Sequence, residues 1–300
     1  MAYSSGDTIL DDHYNDFATS VNALWGTGST DSGYGESTTV AAVSAGATIT
    51  AAQWTTLLAR ITSMASHQGT SITSISNPSA GDTIAAYTAL STNIASINTN
   101  RLTPAARQSV SNTNRDNTNT FTGTLTFTHK WAWGSANQAR YFFNAGGRLS
   151  ISGSQTGHTS RTKANNWASL LTAAGTYYIN AQTSGKSGGS GSASTNNTNY
   201  GYYDLTTSYV TVFKQLEDTS PYTANFVQWQ LKSSDSGASV ETSCTWVDSA
   251  ADTSYNKSIY TVLDQVNGTH RMTFGFEKHD TTHVGDNGGT ITLSGTATGS

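Results

Sequence analysis

The sequence predicts an α+β, multidomain chain in which repeated short helices form an N-terminal helical bundle and an all-β sandwich or jelly-roll-like domain follows. Three observations carry that prediction. Apolar residues recur at +3, +4, +3 in three places: Tyr14, Phe17, Val21 and Leu24; Trp54, Leu57, Ile61 and Met64; Tyr87, Leu90, Ile94 and Ile97. Each set places one aromatic and three aliphatics on a single helical stripe. From Phe121 the period changes to two, with Leu125, Phe127, His129, Trp131 and Trp133 alternating with Thr, Lys and Ala. Ser and Thr fill 90 of the 300 positions, and 28 Gly stand against 3 Pro, a balance that favours pleated strands joined by tight turns.

Residues 1–103 read as the helical repeat and attachment domain. Gly6-Asp-Thr-Ile9, Gly46-Ala-Thr-Ile49 and Gly81-Asp-Thr-Ile84 introduce the three stripes at offsets of 40 and 35 residues, so one unit is used three times. The third is two residues shorter between Ile84 and Tyr87. Thr50-Ala-Ala-Gln53 reads as a capping box, and Gly26 and Gly69 stand where left-handed C-terminal caps are wanted. Helices of about four turns are marginal alone in water, so the stripes must be covered within the chain or across copies. They are the candidate oligomerisation and attachment core.

Residues 104–120 read as a linker, because nothing after Val110 is apolar. Residues 121–300 read as the β-sandwich domain. Its strand signals are Leu125 to Trp133, Tyr141-Phe-Phe143, Leu149-Ser-Ile151, Tyr177-Tyr-Ile179, Tyr209 to Phe213, Val227 to Leu231, Ile259 to Val262, Met272 to Phe276 and Ile291-Thr-Leu293. One helix is expected inside it, at Asn166-Trp-Ala-Ser-Leu-Leu171.

Charge excludes some functions. Only 11% of residues are charged, the net charge is −4, and the cations are scattered, so nucleic acid is not an expected partner. No run approaches the ~18 apolar residues of a membrane span, and the start lacks a basic, then apolar, leader. Cys244 stands alone and reads as a small buried apolar residue.

Candidate chemistry is sparse. Gly185-Lys-Ser187 ends like a phosphate loop, but Asn180 stands where that loop needs Gly, so a surface hairpin is the better reading. His279 and His283, with Asp280 and Asp286, have metal-ligand composition in a strand-and-turn context that does not converge on one ion. Asp11-Asp12-His13 suits the positive end of a helix. No nucleophile elbow appears and Glu occurs only at 36, 217, 241 and 277, so no catalytic, cofactor or metal residue is assigned and no enzyme is expected. The aromatics Trp131, Trp133 and Trp229 are candidate glycan contacts if exposed.

Several motifs then carry a resemblance. Asp12-His-Tyr-Asn15, Leu24-Trp-Gly-Thr-Gly28, Gly33-Tyr-Gly35, Gly46 to Trp54, His67-Gln-Gly69 and, further on, Arg140-Tyr-Phe-Phe-Asn-Ala-Gly-Gly-Arg-Leu-Ser-Ile-Ser152 resemble virion structural proteins of tailed phages, closest to cyanophage and marine myophage fibre or neck proteins. The resemblance implies a homotrimeric fibre, neck or tail appendage subunit that is assembled in the host cytoplasm and located in the virion. Its partners would be itself and other virion proteins of tail, neck or capsid; the aromatics and the neutral, hydroxyl-rich composition add a host surface glycan as a further candidate. A capsid decoration protein and a carbohydrate-binding receptor module at a fibre tip are the alternatives. The hydroxyl-rich composition without a leader fits a particle released by lysis.

Overall fold

A computed structural model of the chain describes residues 11–79, 86–158, 162–249, 254–257, 260–263 and 266–299, with 254–257 and 260–263 described as backbone alone. The Gly6–Ile9 and Gly81–Ile84 lead-ins and Ile259 lie outside the described residues. The fold is α+β and mostly β. The chain divides into two compact units that are interleaved in sequence: Met1–Ser109 with Arg140–Gly147 and Lys278–Gly289, and Val110–Ala139 with Arg148–Glu277 and Thr290–Ser300.

In the first unit the three stripes form α1 (Asp11–Trp25), α2 (Ala51–Gln68) and α3 (Tyr87–Asn100), and each helix contacts the other two. Ten of the twelve stripe residues are buried in one core, with Tyr87 and Ile94 partly covered against it. Among the described residues the stripes are therefore covered mainly within one chain, which is their use as an intrachain three-helix bundle, with Tyr87 and Ile94 the stripe residues left partly exposed.

The local signals of α2 hold in detail. Thr50 and Gln53 satisfy each other's amides in a capping box, and Gly69 closes the helix at φ 67°, a left-handed conformation that a Cβ would strain. Gly26 is not in that conformation; its amide instead bonds Asn22 O, and the positive φ falls on Gly28. We expect Thr50→Ala to lower stability by about 1 kcal/mol, read as a shift of the urea midpoint at unchanged slope. An unshifted midpoint would mean that the box is not populated.

The second unit holds two antiparallel sheets. The first has the order β1 (Ser111–Asn117), β12 (Thr269–Glu277), β3 (Arg148–Thr156), β4 (Thr176–Ile179), β5 (Ser184–Ser187). The second runs β13 (Thr292–Ser294), β2 (Gly123–Ala132), β9 (Ser239–Asp248), β8 (Phe226–Ser234), β7 (Val210–Leu216), β6 (Thr195–Asn196), with β14 (Ala297–Thr298) also on β2. A separate hairpin joins β10 (Ser254–Lys257) to β11 (Tyr260–Leu263). The sheets share aromatic contacts: His129 of β2 stacks on Phe274 of β12 at 4.5 Å, and Trp246 Nε1 of β9 donates to Met272 Sδ of β12 at 3.2 Å. Helix α5 (Thr162–Ala174), at the position the sequence predicts, lays Trp167 parallel to Trp246 with centroids 5.7 Å apart.

Two assignments change. The stretch read as a linker contains β1, whose seven residues pair with β12 from Ser111↔Phe276 to Asn117↔His270. Cross-strand polar pairs replace apolar ones there, with Arg271 forked onto Asp116 at 2.6 and 2.7 Å and Thr273 bonded to Asn114, which suits an edge strand. Tyr141-Phe-Phe143, read as strand, lies in α4 (Ala136–Asn144), where Ser135 caps Gln138 N and the apolar positions 139, 142 and 143 follow helical spacing.

Candidate functional site

A set of side-chain-to-backbone hydrogen bonds in the first unit holds segments that enter it from far along the chain. Arg140 in the middle of α4 donates to the carbonyls of Thr27, Thr30 and Ser32, and Asn144 at its end donates to Thr30 and Gly33. Arg107 Nε reaches Gly146 O at 2.8 Å. Glu36 accepts from Gly285 N and from Asn287 Nδ2, which also bonds Tyr34 O. Gly35 shows how close the segments lie: a Cβ there would stand 2.5 Å from the Tyr141 ring, at φ +82°.

Two histidines complete this anchoring. His67 Nε2 lies 3.1 Å from Ala145 O, and His279 Nε2 lies 3.2 Å from both Val284 O and Gly285 O. A carbonyl only accepts, so each ring is the tautomer protonated on Nε2. The rings meet edge to face at 5.2 Å. Burial, reinforced by His279, pushes the His67 pKa down to about 4, and burial also lowers His279. Beside them Tyr34 Oη donates to Arg101 O and accepts from Gln68 Nε2 at 2.7 Å, with burial raising its pKa. These groups hold backbone, and none of them presents an activated nucleophile or a free acid–base pair.

Asparagines pin the helix connectors in the same way. Asn15 and Asn22 each exchange two hydrogen bonds with the backbone of Val43 and Val40, and Asn93 does so with Thr73. A side-chain amide imitates a strand partner here, so Gly/Ser/Thr-rich connectors acquire a defined course along α1 and α3.

The candidate glycan contacts are corrected. Trp131, Trp133 and Trp229 are 0%, 5% and 1% exposed. Trp131 and Trp229 lie on the inward-facing alternate positions of β2 and β8, and Trp133 follows β2 in the same phase, so none offers a ring to a sugar. The other weak candidates also become structural. Lys186 of the Gly-Lys-Ser run reaches Gly191 O and Gln215 from β5. Asp11 accepts from Gly46 N at 3.1 Å. His279 holds a turn, and among the described residues no group of three or more His, Cys, Asp or Glu is placed to hold a metal ion. Cys244 is buried in β9, its thiol pushed up to about 12 by burial.

The sequence reading missed one pair. Lys163 and Asp248 meet at 2.7 Å, their side chains 0% and 1% exposed. A signal existed: Lys163 sits at −4 from Trp167 on the apolar face of α5 that continues through Leu170 and Ala174, where a cation is out of place. No protein-family model, curated protein or solved structure matches this chain.

Proposed function

We propose that the chain is a structural subunit of a tailed-phage virion, in which the three-helix bundle docks on a tail, neck or capsid partner and the β-sandwich domain is carried outward. One observation supports this reading above others: the first stretch of resemblance and the Arg140–Gly147 part of the second belong to the same unit, and their residues are used to hold backbone. Asn15 clamps Val43, Trp25 Nε1 donates to Thr38 O, Tyr34 takes Arg101 O, and His67 binds Ala145 O; from the second stretch Arg140 and Asn144 bond the loop after α1. A signature made of anchoring residues is what a particle-building module needs, whereas a catalytic signature would spend its polar groups facing a cleft.

The homotrimer expected of a fibre subunit belongs to the same proposal, with its interface outside the helical stripes. An antibody raised on the purified chain should decorate banded particles of the phage that encodes it in negative-stain electron microscopy. Recovery of the chain solely in the soluble fraction of the lysate would remove the reading. Sedimentation of the full chain should give three times 31.6 kDa; a monomer would remove the trimer and leave the subunit role standing.

A further inference from the structure

We propose that Lys163 and Asp248 are joined in the mature protein by an intramolecular isopeptide bond between Nζ and Cγ. This inference is independent of the proposed virion role and rests on where the two side chains sit. Lys163 occupies the first turn of α5, where the positive end of the helix dipole disfavours a cation. Asp248 is the last residue of β9, two positions beyond Trp246 and therefore on the same face of the strand, turned toward α5. The surroundings are aromatic: Trp167 is stacked on Trp246, Phe121 packs edge-on against Trp167 at 5.4 Å, and the Tyr222 ring centroid lies 5.8 Å from Lys163 Nζ. Two opposite charges are thus held in contact with almost no access to water.

That setting prepares the pair for condensation. Moving one proton from Nζ to Oδ2 along the 2.7 Å contact converts ammonium and carboxylate into amine and carboxylic acid, the neutral pair that a desolvated site favours. The amine lone pair then attacks Cγ. The Nζ–Cγ bond forms, the Cγ–Oδ2 bond breaks, and Oδ2 departs with the transferred proton and a second proton from Nζ as one water. Atoms and charge balance without an oxidant, a nucleotide or an external reagent. Two groups locked in van der Waals contact react at a high effective concentration, and the amide removes both buried charges at once. The chain has one cysteine and so cannot close a disulfide on itself. A lysine–aspartate amide would give the β-rich unit a covalent tie between α5 and β9.

Mass spectrometry of the purified full chain, denatured and followed until its mass stops changing, tests this. The expected result is a mass lower than that of the sequence by one water, and a tryptic digest in which cleavage after Lys163 is lost and its peptide is branched onto the one containing Asp248. Asp248→Asn should form the same bond with loss of ammonia, and Asp248→Ala should keep the full mass of its own sequence. Full mass in the wild type, with Lys163 cleaved normally by trypsin, overturns the proposal whether or not the variants fold. A water loss that maps elsewhere, or that persists at Lys163 in Asp248→Ala, overturns it as well.

Discussion

Trp246→Ala is expected to destabilise the β-rich unit by about 3–5 kcal/mol, the range for truncating a fully buried aromatic. Trp246 lies on a central strand and is wholly buried. Its ring is parallel to Trp167 of α5, tilted against Phe127 of β2 at 5.4 Å and edge-on to His270 of β12 at 5.7 Å, while Nε1 donates to Met272 Sδ. One side chain therefore joins α5 and both sheets. Its removal leaves a cavity that rings on separate elements cannot close by small shifts, and it forfeits the stacked pair in addition to the buried area. Against a typical domain stability of about 5–15 kcal/mol, a loss of that size consumes much of the margin. The measurement is the denaturant midpoint by tryptophan fluorescence and near-ultraviolet dichroism. Tyr209→Ala is the control: Tyr209 is 39% exposed and should shift the midpoint by less than about 0.5 kcal/mol. Equal shifts for the two variants would contradict the packing described.

Acidification should weaken the protein from about pH 6.5 downward, where an ordinary histidine begins to bind its proton. Burial pushes His67 and His270 down to about 4 and His129 down to about 3, against 6.5 for an ordinary histidine, with Arg115 adding to the shift of His129. Between pH 6.5 and 4 the unfolded chain binds protons that the folded chain refuses, so stability falls as pH falls, by about 1.4 kcal/mol per pH unit for each such ring. The loss levels off only below the folded values. Stability from these groups is thus complete above the unfolded pKa and is given up on the acid side. His129 and His270 both lie in the second unit, so that unit should show about twice the slope of one ring. Urea midpoints at pH 7 and about pH 4.5 check this, with several kcal/mol of difference expected. Because His129 stacks on Phe274 with an interplanar angle of 2°, His129→Phe should fit the same space and flatten part of the slope. A midpoint constant across that interval would contradict neutral buried histidines.

Local periodicity made a large part of this fold legible. The +3, +4, +3 stripes became α1 to α3, Asn166 to Leu171 lies within α5, and most alternating runs became strands, because a period records which side of an element is covered and depends on neighbours in sequence alone. It could mislead at Tyr141-Phe-Phe143, where three consecutive apolar residues fit either period and the Ser135 cap decided for helix. The central strand β9 went unread although Val240, Thr242, Cys244 and Trp246 alternate inward. Polar β1 gave no hydrophobic signal, since an edge strand is held by its partner's backbone and by pairs such as Asp116 with Arg271.

The sequence by itself determined that this chain would bury three aromatic-led helical faces and a set of alternating strands under a neutral, hydroxyl-rich exterior. Only the tertiary structure decided what lies opposite each of those faces. It covered the stripes with one another, turned Trp131 and Trp229 inward, brought Arg140–Gly147 and Lys278–Gly289 into the helical unit, and set Lys163 against Asp248. The reason is that these contacts join residues far apart in the chain, where the free energy depends on shape and desolvation at the meeting point and leaves no repeating trace in the order of residues.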